Sequence, residues 1–169
     1  MGRNGGSVKY EQARHKLQSG DLLAWSHRTL RSWYDLKIQA VRMVTRSEYS
    51  HVGICWVCAG RVWVIEAVEP CVRIFPLSKL GDFYHTPLNM HWTPKVEDAA
   101  LEHIGVEYLQ LDAVRAFFDK LEAGKVTECA ALVQVVAMSG GVYLGKRATP
   151  DAIMREAQRL GNPTYLIEN

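Results

Sequence analysis

The sequence predicts a single α+β domain, and three observations carry that reading. Short β-branched and aromatic segments fill residues 51–77, and the hydrophobic period turns helical after Pro94. The third is that the 169-residue chain, with no internal repeat or linker, has the length of one domain. With 48% hydrophobic and 22% charged residues, it has enough apolar material for one core and does not have the composition of a disordered chain.

Taken in order, residues 1–8 are Gly-rich and polar and read as a flexible, frayed end. A short helix is expected over Tyr10–Gln18, stopped by Ser19-Gly20, followed by a strand at Asp21–Trp25. Leu30, Trp33, Tyr34, Ile38, Val41 and Val44 recur near the 3.6 spacing of an amphipathic helix. His51–Cys58 and Arg61–Glu69 are strands joined through Ala59-Gly60, and Cys71–Leu77 is a third. Leu88–Trp92, bracketed by Pro87 and Pro94, is expected to be another strand. Helices are expected at Lys95–His103, Gln110–Glu122 and the strongly apolar Thr127–Met138, which reads as buried. Thr149-Pro150-Asp151 has the form of an N-cap with Pro at the first helical position, opening a helix to about Leu160. Tyr165–Ile167 closes the chain as a strand.

Composition narrows the function classes. Cys55, Cys58, Cys71 and Cys129 do not form a disulfide framework in a chain of this size. Cys55 and Cys58 have CxxC spacing, but residues three apart in a strand point to opposite faces, so they read as packed strand cysteines. No metal site or cofactor is expected. His15, His27, His85, His91 and His103 lack ligand spacing, and surface positions are expected for His85 and His91. Residues 1–50 hold nine Lys and Arg against four Asp and Glu, a local charge of +5. That suits an anionic surface, while no specific nucleic-acid motif accompanies it. The N-terminus lacks the apolar stretch of a secretory signal, and no run reaches the roughly 18 residues of a membrane span. The expectation is therefore a cytoplasmic protein, reaching any extracellular target by lysis or on a virion.

The chemistry gathers around three residues. Ser50-His51-Val-Gly-Ile54 places a His where a loop enters an apolar strand. Glu66 lies among Val, Trp, Ile and Ala, where an ionised carboxylate needs a partner. If the hairpin turns on Ala59-Gly60, Cys58 pairs with Arg61 and Gly53 with Glu66. His51, Gly53, Glu66 and Val68 then share one face, with Glu66 within reach of the His51 ring. Cys129 follows Thr127-Glu128 in the first turn of a helix, where the helix dipole favours a thiolate. A thiol, a His and an orienting acid are the parts of a nucleophile–base–orienter triad.

In this chain order, His then Glu then Cys, the set resembles the circularly permuted branch of the NlpC-like papain-fold hydrolases. That branch includes YiiX-like proteins and is related to the lecithin:retinol acyltransferase-like group. The resemblance spans Ser19 to about Leu160. It rests on Gly20-Asp21-Leu-Leu, Ser50-His51-Val-Gly-Ile54, Val64-Ile-Glu66-Ala67, Gly105-x-x-Tyr108, Glu128-Cys129 and Thr149-Pro150-Asp151. It implies a permuted papain-like fold with Cys129 as nucleophile, His51 as base and Glu66 as orienter. Tyr108, Ser50 and Asp21 would line the substrate site. The family often carries Ser after the Cys, whereas Ala130 follows here.

The implied activity is hydrolysis of an amide bond in a cell-wall or other small peptide, as by a phage lytic enzyme or a murein-recycling peptidase. Two readings stay open beside it. One is thioester-mediated acyl transfer or lipid deacylation. The other is a non-catalytic module that keeps the fold and binds a host protein.

Overall fold

The computed structural model describes residues 7–26, 48–107 and 128–169. The strands are β1 (Val8–Lys9), β2 (Leu22–Ser26), β3 (Tyr49–Cys58), β4 (Arg61–Val68), β5 (Cys71–Pro76), β6 (Phe83–Thr86) and β7 (Tyr165–Glu168). The helices are α1 (Tyr10–Ala13), α2 (Pro94–Leu101), α3 (Glu128–Ser139) and α4 (Pro150–Arg159), with 3₁₀ turns at Arg14–Lys16 and Leu77–Lys79. The seven strands form one sheet in the order β1-β7-β6-β2-β3-β4-β5, parallel only between β1 and β7.

The β3–β4 hairpin has the expected register, with Cys58 opposite Arg61 and Ile54 opposite Ile65. Its turn places Ala59 at φ 50° and Gly60 at φ 71°. Two positive φ values make a type I′ turn, whose twist matches that of the flanking strands. Burial then sorts side chains by parity. Leu22, Ala24, Val52, Ile54, Ile65 and Ala67 face a core shared with α2, α3 and α4. Leu23, Cys55, Val62 and Val64 face a second cluster with Tyr10, Leu17, Phe83 and Ile167.

The helix α3 packs on β3 and β4 and is flanked by α2 and α4. Ala130, Ala131, Leu132, Val133, Val136 and Ala137 are all buried, so its apolar surface runs almost all the way round. Each large side chain here, such as Leu132, contributes roughly 1.5–3 kcal/mol by leaving water. The α4 start is as the sequence predicts: Thr149 Oγ1 accepts from the Ala152 N–H at 3.3 Å, with Pro150 in the first turn.

Several elements differ from expectation. Leu88–Trp92 is irregular, and the strand lies on the other side of Pro87, at Phe83–Thr86. Leu88 and Met90 are buried while Asn89 and His91 are exposed, so a loop crossing the core imitates strand alternation; Asn89 at φ 51° breaks the ladder. The first helix ends at Ala13 and tightens into 3₁₀ geometry, so that Leu17 is already extended. Val8 and Lys9 pair with Ile167 and Glu168, where the sequence suggests a frayed end at Val8. The expected helices at 30–44 and 110–122 lie outside the described residues.

Candidate active site

Strand β3 carries an irregularity where its chemistry begins. Trp25 pairs with His51 but Ser26 pairs with Tyr49, so Ser50 is one residue in excess on β3. Bulges of this kind re-aim side chains at the ends of a ladder. Two bonds hold this one in place. The Asp151 carboxylate at the start of α4 accepts from the Tyr49 N–H at 2.9 Å, and Ser50 Oγ donates to the Trp25 carbonyl at 3.1 Å. The Trp25 ring lies 5.3 Å from the His51 ring, centroid to centroid, and covers one of its sides.

His51 Nε2 donates to Glu66 Oε2 at 2.7 Å. Gly53, opposite Glu66 in the hairpin register, keeps this face open. A Cβ there would stand 2.6 Å from Val64 Cγ2 and 3.4 Å from Glu66 Cβ. The Cys129 thiol of α3 is also a hydrogen-bond partner of His51. With Nε2 engaged by Glu66, Nδ1 is the ring nitrogen left for the sulfur. The structure thus brings together Cys129, His51 and Glu66, from α3, β3 and β4.

A fourth residue completes the array. Arg73, the cross-strand partner of Glu66 on β5, donates to Glu66 Oε1 from Nε at 2.9 Å and from Nη2 at 2.7 Å. Its guanidinium carbon sits 4.6 Å above the Phe75 ring centroid. Each Glu66 oxygen therefore has a dedicated partner, and the carboxylate cannot rotate without breaking one of them. Arg73 is absent from the sequence-derived site. Its signal was the next hairpin: with Val68 opposite Cys71, Glu66 falls opposite Arg73.

The electrostatics follow from this packing. The Glu66 side chain is 3% exposed, and burial by itself would raise its pKa. The hydrogen bonds and charges of His51 and Arg73 outweigh that and hold it below the usual carboxylate value. For His51, burial favours the neutral ring, but the hydrogen bonds and charges of Cys129 and Glu66 win and raise its pKa to about 10. The protonated ring is thereby favoured between the Cys129 thiol and the Glu66 carboxylate, the arrangement that a thiolate–imidazolium pair requires.

The other candidates fall elsewhere. Ser50 neighbours His51 at the bulge, half-buried. Asp21 does not join the cluster. Its C=O accepts from the N–H of Cys55 at 2.8 Å, four residues along β3 from His51, roughly 13 Å at strand rise. Its carboxylate accepts from His85 Nε2 at 2.8 Å and from the Gln18 N–H at 2.9 Å. His85 is 6% exposed rather than a surface residue, because β6 pairs with β2 and turns it inward. Tyr108 lies outside the described residues. All four cysteines are free thiols. Burial and the charge of Asp21 push the Cys55 thiol pKa well up, which suits an inert packed cysteine.

The mixed seven-stranded sheet packed on a central helix is an α+β fold of the permuted papain-like, NlpC-like kind. The chain shares that fold with the solved structure of YiiX from Escherichia coli O157:H7, described as a metalloprotein and as DUF1105. The TM-score is 0.52, with 21% identity over 76% of this chain and 69% of that one. No protein-family model and no curated protein matches the sequence. Among the described residues, no group of three or more His, Cys, Asp or Glu side chains is placed to hold a metal ion.

Proposed function

We propose that the protein is a cysteine hydrolase that cleaves an amide bond, with a cell-wall or other small peptide as substrate. The observation that carries the reading is a single imidazole held between the Cys129 thiol and the Glu66 carboxylate. The papain-like hydrolase fold supports the reaction class, and the cell-wall substrate rests on resemblance to the NlpC-like branch.

The Cys129 thiolate attacks the substrate carbonyl carbon and forms a tetrahedral oxyanion. The first-turn amides of a helix have no intrahelical partner, so the Cys129 N–H is a natural donor to that oxyanion. Collapse breaks the C–N bond, and the departing amine takes the proton of the His51 imidazolium. The acyl group remains on sulfur as a thioester. Neutral His51 then takes a proton from water, the hydroxide attacks the thioester, and expulsion of the thiolate restores the ion pair. Glu66 and Arg73 keep the ring aligned through both transfers.

Intact-mass analysis during turnover of a muramyl-peptide amide tests this. An acyl adduct that maps to Cys129 and decays to free acid is the expected result. No adduct on Cys129 despite product formation would overturn the assignment. A stable adduct formed only from a lipid ester or thioester would favour acyl transfer.

A further inference from the structure

At the opposite end of the β3–β4 hairpin from Cys129, a cavity of about 330 Å³ opens beside the turn. Arg14, Arg61 and Lys79 all line it, and Tyr10 and Trp63 form its aromatic walls. Arg14 is not loose: its Nη2 donates to the Gly60 carbonyl at 2.8 Å, which pins the guanidinium at the turn. Ser78 adds a hydroxyl to the rim. Among the described residues, none of these three cations forms an ion pair with a carboxylate. Elsewhere the exposed Lys9 and Arg159 do, with Glu168 and Glu156.

Three like charges around one concavity repel each other, and apolar walls strengthen the field between them. A bound anion relieves that repulsion. The donors are guanidinium, ammonium and hydroxyl groups, suited to a multiply charged group made only of acceptors. A phosphate dianion fits better than a single carboxylate, which would leave most of the charge uncompensated. The half-buried Trp63, with the edge of the core residue Tyr10 beside it, suits a planar or apolar group carried on that phosphate.

We infer that this groove is a binding site for a phosphate ester, its phosphate held by Arg14, Arg61 and Lys79 and its organic part lying against Trp63 and Tyr10. Arg61 and Glu66 are five residues apart on β4, roughly 17 Å at strand rise. Occupancy therefore leaves the thiol open, and the groove acts as an anchor apart from the reaction centre. The inference does not depend on the hydrolase reading.

Calorimetric titration of the full chain with phenyl phosphate tests it, alongside co-sedimentation with phosphatidic-acid vesicles. The comparison is the Arg61→Ala/Lys79→Ala variant, and Lys79→Glu alone serves if the double variant does not fold. Saturable phenyl phosphate binding that weakens about tenfold or more in the variant, and falls with added salt, is expected. Additional variant-sensitive binding to the vesicles would identify a lipid headgroup as the source, and its absence a soluble ester. No saturable binding to either probe, or equal affinity in the folded variant, would overturn the site.

Discussion

The sheet holds two His–carboxylate pairs of nearly identical geometry, and their surroundings give them different work. His51–Glu66 closes at 2.7 Å and His85–Asp21 at 2.8 Å, each through Nε2. In the second pair both side chains are 7% exposed, Asp21 also accepts from the Gln18 N–H, and Tyr165 stacks on His85. Its neighbouring cysteine, Cys55, is fully buried in mid-strand with its thiol pKa pushed up. In the first pair the His51 side chain is 19% exposed at a bulge, and its ring meets a thiol on a helix. A buried His–acid pair alone is a structural clamp. A cysteine held by the ring, 4% exposed at the start of α3 beside the partly exposed His51, makes it a candidate catalytic pair.

Substitution at the two cysteines gives the largest contrast. Cys129→Ala is expected to lower turnover on the order of 10⁴-fold or more, while Cys55→Ala leaves it near wild type. Steady-state kinetics on a peptide amide measures both.

The two histidines come next. His51→Gln should cost about 10²–10⁴-fold in turnover, with some loss of stability because Glu66 keeps its burial and retains only Arg73 as partner. For His85→Gln turnover holds, and unfolding alone is easier, by about 1–3 kcal/mol, because Asp21 keeps its burial and loses its partner. Denaturant titration beside the assay separates the two outcomes. Equal losses of activity at both sites would erase the distinction.

Arg73→Ala probes how the Glu66 carboxylate is held. About 10–100-fold lower activity is expected, by analogy with the loss of other orienting partners, with recovery in Arg73→Lys only partial. The pH profile should shift as well, since the buried Glu66 loses a stabilising charge and titrates closer to neutrality.

The pH dependence of stability carries a defined sign. His51 has a folded pKa above its ordinary value, so its contribution is complete below about pH 6.5 and is lost as pH rises through about 10. Glu66 has a lowered folded pKa, so its contribution is present above its ordinary value near 4.5 and is lost as pH falls below it. Thermal unfolding across this range should fall off on both sides, and His51→Gln should flatten the alkaline limb. An effect on stability alone, comparable to that of His85→Gln, is expected from Gly53→Ala, whose new methyl group meets Val64 and costs about 1–3 kcal/mol by overpacking, read by denaturant titration.

The legible part of the site was the β3–β4 hairpin. A two-residue turn fixes register, register fixes parity, and parity alone sets Glu66 beside His51. Arg73 follows from the same parity only across the next turn, where Val68 meets Cys71. The Asp21–His85 clamp depends on β6, which lies at Phe83–Thr86, on the other side of Pro87 from the segment whose alternation suggests a strand. Trp25 was legible as part of a strand; its place over His51 depends on a bulge that no alternation pattern announces.

The most direct test of the Cys129–His51 ion pair is the rate of iodoacetamide alkylation at each cysteine near neutral pH, resolved by peptide mass spectrometry. Cys129 should react far faster than Cys55, Cys58 or Cys71 and lose that advantage in His51→Ala. Slow, similar labelling of Cys129 and the half-buried Cys58 and Cys71, unchanged by His51→Ala, would contradict the account.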